Sequence, residues 1–200
     1  MIAILDYDAG NLKSVQKALA YLGKESIITR DRKEIQTADK LILPGVGSFG
    51  FAMEQLKKYE IDKMLKEAAE EKPILGICLG LQLMFDGSEE CFGIEGLHLL
   101  KGDILRIPEK EGLKIPHIGW NSLKFQNQGR LFCGLPENPY VYFVHSYYLK
   151  AENEEIVKAS AEYGVQIHAS VEQGNLFACQ FHPEKSGSTG ISILSNFAEL

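Results

Sequence analysis

Residues 73–85 read PILGICLGLQLMF, Pro73 to Phe85. Ile74 to Ile77 is an apolar run of strand length, and Leu79 to Phe85 continues with helical spacing. Cys78 sits at the changeover, between Gly76 and Gly80. A strand that passes directly into a helix is the building unit of a parallel sheet, so this stretch decides the fold class.

Upstream, the same unit repeats. Ile2 to Tyr7 reads as a strand, and Leu12, Val15, Leu19 and Leu22 then form an amphipathic stripe after an Asn11 cap. Ser26 to Thr29 is a second short strand. Lys40 to Leu43 is a third, ending in Pro44. Met53, Leu56, Met64, Leu65 and Ala68 make another helical stripe, closed by Glu-Lys-Pro. This alternation predicts a mostly parallel central sheet with helices on both faces. After Ser88 the pattern changes. HLLKGDILRI, VYFVHSYYL, EIVKASAEYG, VQIHASVEQG and LFACQFHP are strand-like, with Gly or polar turns between several of them. They predict hairpins, hence antiparallel additions in the C-terminal half. A last helix is expected over Ile191 to Leu200. There is neither a repeat nor a low-complexity linker, so residues 1–200 are expected to form a single α/β domain.

Gly-x-Cys-x-Gly between a strand and a helix has the pattern of a nucleophile elbow. The sharp turn needs small neighbours, and the new helix aims free N–H groups at the site, which favours a thiolate. The N–H of Leu79 could also receive a developing oxyanion. The alternative is a buried structural cysteine, the usual fate of a free thiol. A nucleophilic Cys needs a base, and the base an orienter. Of the five histidines, His182 stands out in Gln180-Phe-His182-Pro-Glu184. It follows an apolar strand, Pro183 ends that strand, and Glu184 could fix the imidazole tautomer.

Two other patterns carry less. Gly45-Val46-Gly47-Ser-Phe-Gly50 matches G-x-G-x-x-G after a strand, but the next strand ends in Cys78 where a dinucleotide site wants an acid. Its backbone N–H groups could still serve an anion. Cys179-x-x-His182 is half a metal site with no second pair at suitable spacing, so no metal or cofactor is expected.

With 45% hydrophobic and 24% charged residues the balance is that of a globular protein, and a net charge of −6 argues against nucleic acid or anionic membrane as the main partner. No apolar run approaches the ~18 residues of a membrane span. MIAILDYDAGN has no positive n-region and turns acidic, so it reads as a first strand. Four irregularly spaced cysteines suit free thiols in the cytoplasm.

Taken together and in this order, Pro44-Gly45-Val46-Gly47, Gly76-Ile-Cys78-Leu-Gly80-Leu-Gln82 and His182-Pro-Glu184 resemble the class I (triad) glutamine amidotransferases, over the whole chain. Within that family the chain is most similar to the glutaminase subunits of imidazole glycerol phosphate synthases. The residues behind that finer resemblance are Asp6-Tyr-Asp-Ala-Gly-Asn11-Leu, Ser88-Glu89-Glu90, Gly119-Trp-Asn121, Phe143-Val-His-Ser-Tyr147 and His182-Pro-Glu-Lys-Ser186. The resemblance implies a flavodoxin-like class I glutamine amidotransferase fold. It implies that Cys78 attacks the carboxamide of L-glutamine, that His182 moves the proton and that Glu184 orients His182. By the same resemblance Val46, Gly47 and Leu79 supply oxyanion N–H groups, and Gln82, Glu90, Ser146 and Tyr147 hold glutamine. Asn11, Trp120, Tyr142 and Lys185 match a partner-facing side. The partner it implies is a (β/α)8-barrel cyclase subunit, in a heterodimer that makes imidazole glycerol phosphate and AICAR in histidine biosynthesis. Ammonia would reach that subunit through a closed passage.

Two further classes stay open on the residues alone. One is another Cys-His-Glu hydrolase, such as a γ-glutamyl peptidase. The other is a flavodoxin-like binding module in which Cys78 is structural.

Overall fold

The computed structural model describes residues 1–127 and 129–200. Four strands, β1 (Ile2–Leu5), β2 (Ser26–Thr29), β3 (Lys40–Gly45) and β4 (Ile74–Cys78), alternate with α1 (Leu12–Tyr21), α2 (Arg32–Thr37), α3 (Phe49–Lys58) and α4 (Ile61–Ala69). After α5 (Leu79–Leu83) come nine more strands among the described residues. They are β5 (Gly87–Ser88), β6 (Gly102–Arg106), β7 (His117–Ser122), β8 (Lys124–Phe125), β9 (Tyr140–His145), β10 (Tyr147–Ala151), β11 (Val157–Glu162), β12 (Gln166–Gln173) and β13 (Leu176–Cys179). Helix α6 (Gly187–Glu199) closes the chain.

The main sheet has the order β2-β1-β3-β4-β13-β12-β11-β8. From β2 to β13 all neighbours run parallel, and from β13 onward they are antiparallel. The sequence expectation of a mixed sheet with antiparallel additions therefore holds, with one correction. β13 was expected in the antiparallel set, yet it lies parallel to β4, with Cys179 opposite Ile77.

Alternate residues of the parallel strands enter two cores. Ala3, Leu5, Leu41, Leu43 and Ile74 face the side covered by α3, α4 and α5, where Phe49, Met53, Leu56 and Leu65 are buried. Ile2, Ile4, Ile42, Leu75 and Ile77 face α1 and α6, against Val15, Leu19, Leu194 and Phe197. Both faces being covered explains why these strands read as continuous apolar runs. Each such Leu, Ile, Val, Met or Phe side chain contributes about 1.5–3 kcal/mol through burial.

Other departures are local. The stripe from Met53 to Ala68 is two helices, broken where Glu60 takes φ 57°. Helix α2 was not anticipated. Asp31 caps it by accepting from Glu34 N at 3.0 Å, and only Ile35 is buried. The Asn11 side chain accepts from Ser14 Oγ at 2.8 Å and caps no backbone N–H. VYFVHSYYL is two strands parted at Ser146, β9 pairing with β7 and β10 with β6. The last helix starts at Gly187, earlier than expected. Among the described residues no helix is long and apolar enough to cross a membrane.

Candidate active site

The turn from β4 into α5 explains its own sequence. Cys78 holds φ 54° and ψ −108°, a conformation L-residues rarely adopt. A Cβ on Gly76 would sit 2.8 Å from the Gly80 carbonyl oxygen, and one on Gly80 only 1.8 Å from that of Leu43. Both glycines are thus demanded by backbone packed against backbone. Cys78 pairs with Gly45 across the sheet, so the segment after β3, Val46-Gly47, leaves the same edge as the thiol. Gly45 and Gly47 differ in kind. A Cβ on Gly45 would meet the Tyr7 hydroxyl at 2.7 Å, whereas Gly47 has open space but φ +99°. Tyr7, buried, donates to the Pro44 carbonyl at 2.6 Å and fixes the root of this loop.

Because β13 runs parallel beside β4, both strands end at one edge. Gln180 and Phe181 then carry the chain to His182. His182 Nδ1 lies 2.8 Å from Glu184 Oε1, and both side chains are almost fully buried. A carboxylate only accepts, so Nδ1 carries a proton. Nε2 is buried without a hydrogen-bond partner. Burial opposes the imidazolium, but Cys78 and Glu184 outweigh it and raise the His182 pKa to about 9. Glu184 is thus an internal partner of the imidazole and not a surface carboxylate. The loop is pinned to β9: His182 N donates to the Tyr142 carbonyl at 2.9 Å, and Tyr142 N donates to Ser186 Oγ at 3.0 Å.

A cavity of about 460 Å³ opens at this edge. It is lined by Val46, Gly47, Cys78, Leu79, Gln82, Glu90, Ser146, Tyr147, His182 and Lys185, with Pro116, Val144 and His145. Glu184 stands behind His182. The structure therefore brings the sequence-nominated catalytic, oxyanion and glutamine-binding residues to one place. Two of them are partly committed. Gln82 Nε2 donates to the Tyr147 carbonyl at 3.0 Å and to Gln180 Oε1 at 3.1 Å. What Gln82 has left for a ligand is an acceptor. Glu90 Oε2 accepts from Phe49 N, the first N–H of α3, at 2.8 Å. That contact also occupies the helix N-terminus after the Gly-rich loop, where a dinucleotide pyrophosphate would have to sit.

Of the partner-facing candidates, Trp120 and Tyr142 are opposite each other on β7 and β9, their rings edge to face at 6.2 Å. Trp120 is 55% exposed, beside Ile118 and Tyr140 at 59% and 61%. Lys185 follows Glu184 at the cavity rim, and Asn11 opens α1, which packs near that turn.

Sequence reasoning assigned nothing to Gln180, His117 or His145. Gln180 Nε2 donates to Cys78 Sγ at 3.7 Å. His145 Nδ1 lies 2.9 Å from the Tyr147 carbonyl, and its Nε2 lies 3.0 Å from His117 Nδ1. Burial lowers the pKa of His145 to about 3 and that of His117 to about 4, so the pair is neutral. Gln180 and His145 lie in stretches already singled out, next to His182 and Ser146; the hint was their position, but their partners are remote in sequence.

The family model for glutamine amidotransferase class-I matches residues 3–200. The chain is 51% identical to the imidazole glycerol phosphate synthase subunit HisH of Oceanobacillus iheyensis, over 100% of this chain and 99% of that one. It is 50% identical to the protein of the same name from Moorella thermoacetica, over 100% and 94%. Among solved structures, one described as a glutamine amidotransferase superposes with a TM-score of 0.78 at 20% identity, covering 99% of this chain and 97% of that one. PurLQS from Thermotoga maritima superposes with a TM-score of 0.77 at 23% identity, with the same coverage. At such identities the two structures speak for the fold alone.

Proposed function

The chain belongs to the class-I glutamine amidotransferase family, and from that premise we propose that it is the glutaminase subunit of an imidazole glycerol phosphate synthase, serving histidine biosynthesis in the cytoplasm. On this reading residues 1–200 act as one domain that hydrolyses L-glutamine and hands the ammonia to a (β/α)8-barrel cyclase partner.

The chemistry follows from the cavity. Cys78 Sγ attacks the carboxamide carbon of glutamine, and the carbonyl oxygen takes up the negative charge. N–H groups of Leu79 and the Val46–Gly47 segment are the candidates to receive it. The leaving nitrogen needs a proton. With a pKa of about 9, His182 carries one at neutral pH and delivers it as the C–N bond breaks. Ammonia departs and a thioester remains on Cys78. His182, now neutral, takes a proton from water, whose oxygen attacks the thioester. Collapse expels the thiolate, returns the proton to the Cys78–His182 pair and yields glutamate. Glu184 holds Nδ1–H throughout, so Nε2 always faces the reaction.

For the substrate, Gln82 Oε1 can accept from the carboxamide NH₂, and the Glu90 carboxylate suits the α-ammonium. The contact to a primary carboxamide favours a glutaminase over a γ-glutamyl peptidase. Trp120, Tyr142, Lys185 and Asn11 would face the cyclase.

One observation carries the glutaminase reading: the buried His182–Glu184 pair leaves the same sheet edge as the Cys78 elbow, and His182 shares the cavity of Cys78. The test is glutamate release from glutamine by the chain mixed with barrel subunit and that subunit's ligand. Cys78→Ala should abolish release, while the complex still makes product from added ammonium. Glutamate release surviving in Cys78→Ala would remove the mechanism. Failure of the barrel subunit to bind would remove the partner.

A further inference from the structure

The amide of Gln180 is fully buried, lies beside the nucleophile and has no part in the reaction described above. The orientation of such an amide cannot be read from its shape, but here a backbone carbonyl decides it. The Tyr147 carbonyl can only accept. Gln82 Nε2 lies 3.0 Å from it, so that atom of Gln82 must be the NH₂ group. The same NH₂ lies 3.1 Å from Gln180, so the Gln180 atom facing it must be the oxygen. Gln180 therefore presents its own NH₂ to Cys78 Sγ, at 3.7 Å. Turning either amide over would set donor against donor or acceptor against acceptor.

The carbonyl is itself held from the other side. His145 Nδ1 lies 2.9 Å from it and must donate, which leaves Nε2 as acceptor for His117 Nδ1–H at 3.0 Å. His117 Nε2 in turn faces Asn121 Nδ2 at 3.5 Å. His145, itself held by His117, and Gln82 converge on one oxygen, so its position is over-determined.

We propose that Gln180 is a further member of the nucleophilic site: its Nε2–H donates to the Cys78 sulfur, and the hydrogen bonds converging on the Tyr147 carbonyl lock it in the donor orientation. This rests on Cys78 being the nucleophile of the glutaminase. A donor aimed at the sulfur stabilises a thiolate more than a thiol, because a hydrogen bond to an ionised acceptor is the stronger one. It also aims the sulfur within the cavity. Gln82 then has two jobs, holding the Gln180 amide with its NH₂ and offering Oε1 to substrate. The ionisable groups around the sulfur are His182, Tyr7 and Cys179, with Glu184 behind His182.

The test reads the sulfur without turnover. Gln180→Met keeps the volume and removes the donor. Gln180→Glu keeps the acceptor for Gln82 and replaces the donor with an anion. The rate of Cys78 alkylation by iodoacetamide, located by peptide mapping on the full-length chain, is followed from pH 6 to pH 10. At pH 7 Gln180→Met should react about tenfold more slowly than wild type, the low end for losing a hydrogen bond to a charged group, and Gln180→Glu more slowly still. Both should regain the wild-type rate as pH rises, which a mere packing defect would not do. Unchanged rates at pH 7, or an equal slowing at every pH, would overturn the proposal. Should both variants fail to fold, the wild type decides. The Gln180 side-chain amide resonance should move when Cys78 is alkylated, and a fixed resonance would refute the contact. Wild-type glutamate release is measured separately, so loss of the glutaminase reading and loss of this role give different results.

Discussion

Replacing Glu184 with Gln tests the division of labour within the proposed triad. A His182 pKa of about 9 against an ordinary 6.5 means that the site favours the imidazolium by roughly 3 kcal/mol, at about 1.4 kcal/mol per tenfold. Burial works the other way, so Cys78 and Glu184 together supply more than that figure. If Glu184 supplies only half, removing its charge lowers the His182 pKa by more than one pH unit. Gln at this position keeps the shape and still accepts from Nδ1–H, with a neutral bond about half as strong. On the proposed mechanism the alkaline limb of kcat/KM for the complex with the barrel subunit reports the proton on His182. In wild type it should fall near pH 9, and in Glu184→Gln below about pH 8. At pH 7 most of the imidazolium survives, so the loss there should be well short of the ~10²–10⁴ expected for His182→Ala. The assay is initial-rate glutamate release across pH 6 to 10, with partner and its ligand saturating. A limb that does not move would mean that Glu184 is not what holds the proton. A Glu184→Gln loss equal to that of His182→Ala would mean that the two act as one non-additive unit.

Two further outcomes follow from the same geometry. Gly47→Pro fixes φ near −65°, against the +99° observed, and removes an N–H; it should leave complex formation intact but lower glutamate release by the complex, since losing one oxyanion donor costs about 10²–10³ in rate, and a variant as active as wild type would clear Gly47 of the oxyanion role. Folding stability should peak near pH 6.5. His182 binds its proton more tightly folded than unfolded, so its stabilising effect is complete below 6.5 and is lost as pH rises toward about 9. His117 and His145 bind theirs less tightly, at about 4 and 3, so their neutral state stabilises above 6.5 and that effect is lost as pH falls. A urea midpoint that stays flat from pH 6.5 to 4 would show that the histidine pair is not held neutral.

What could be read from the sequence was what is encoded locally. Gly76-Ile-Cys78-Leu-Gly80 announces the elbow because backbone crowding at Gly76 and Gly80 forbids any Cβ, and composition records that directly. The parallel strands were legible because both faces are buried. The break at Glu60 was not, since Met53 to Ala68 keeps one helical stripe across two helices that share a core. Nor was the division at Ser146, where β9 and β10 are separately claimed by β7 and β6, 18 and 41 positions or more away in their registers. The α2 start was legible in principle, as Asp31 and Glu34 have capping spacing, but its single buried residue leaves no periodicity to find.

The direction of β13 is where function depends on the long-range part. By hydropathy LFACQFHP is one more apolar segment in a run of hairpins, and an antiparallel partner on each side would satisfy its pattern equally well. Set antiparallel to β4, it would carry Gln180 and His182 to the opposite end of the sheet from Cys78. Set parallel, with Cys179 opposite Ile77, it delivers both to the end where β4 turns. No residue within the segment specifies that choice. It is made by the neighbours: β12 takes one edge antiparallel and β4 the other parallel, so β13 joins the two kinds of sheet. The elbow and the His-Pro-Glu motif each suggest catalysis on their own, but their meeting is a property of strand order. The proposed Cys–His–Glu site thus rests on a sheet that changes from parallel to antiparallel at the strand that leads to His182.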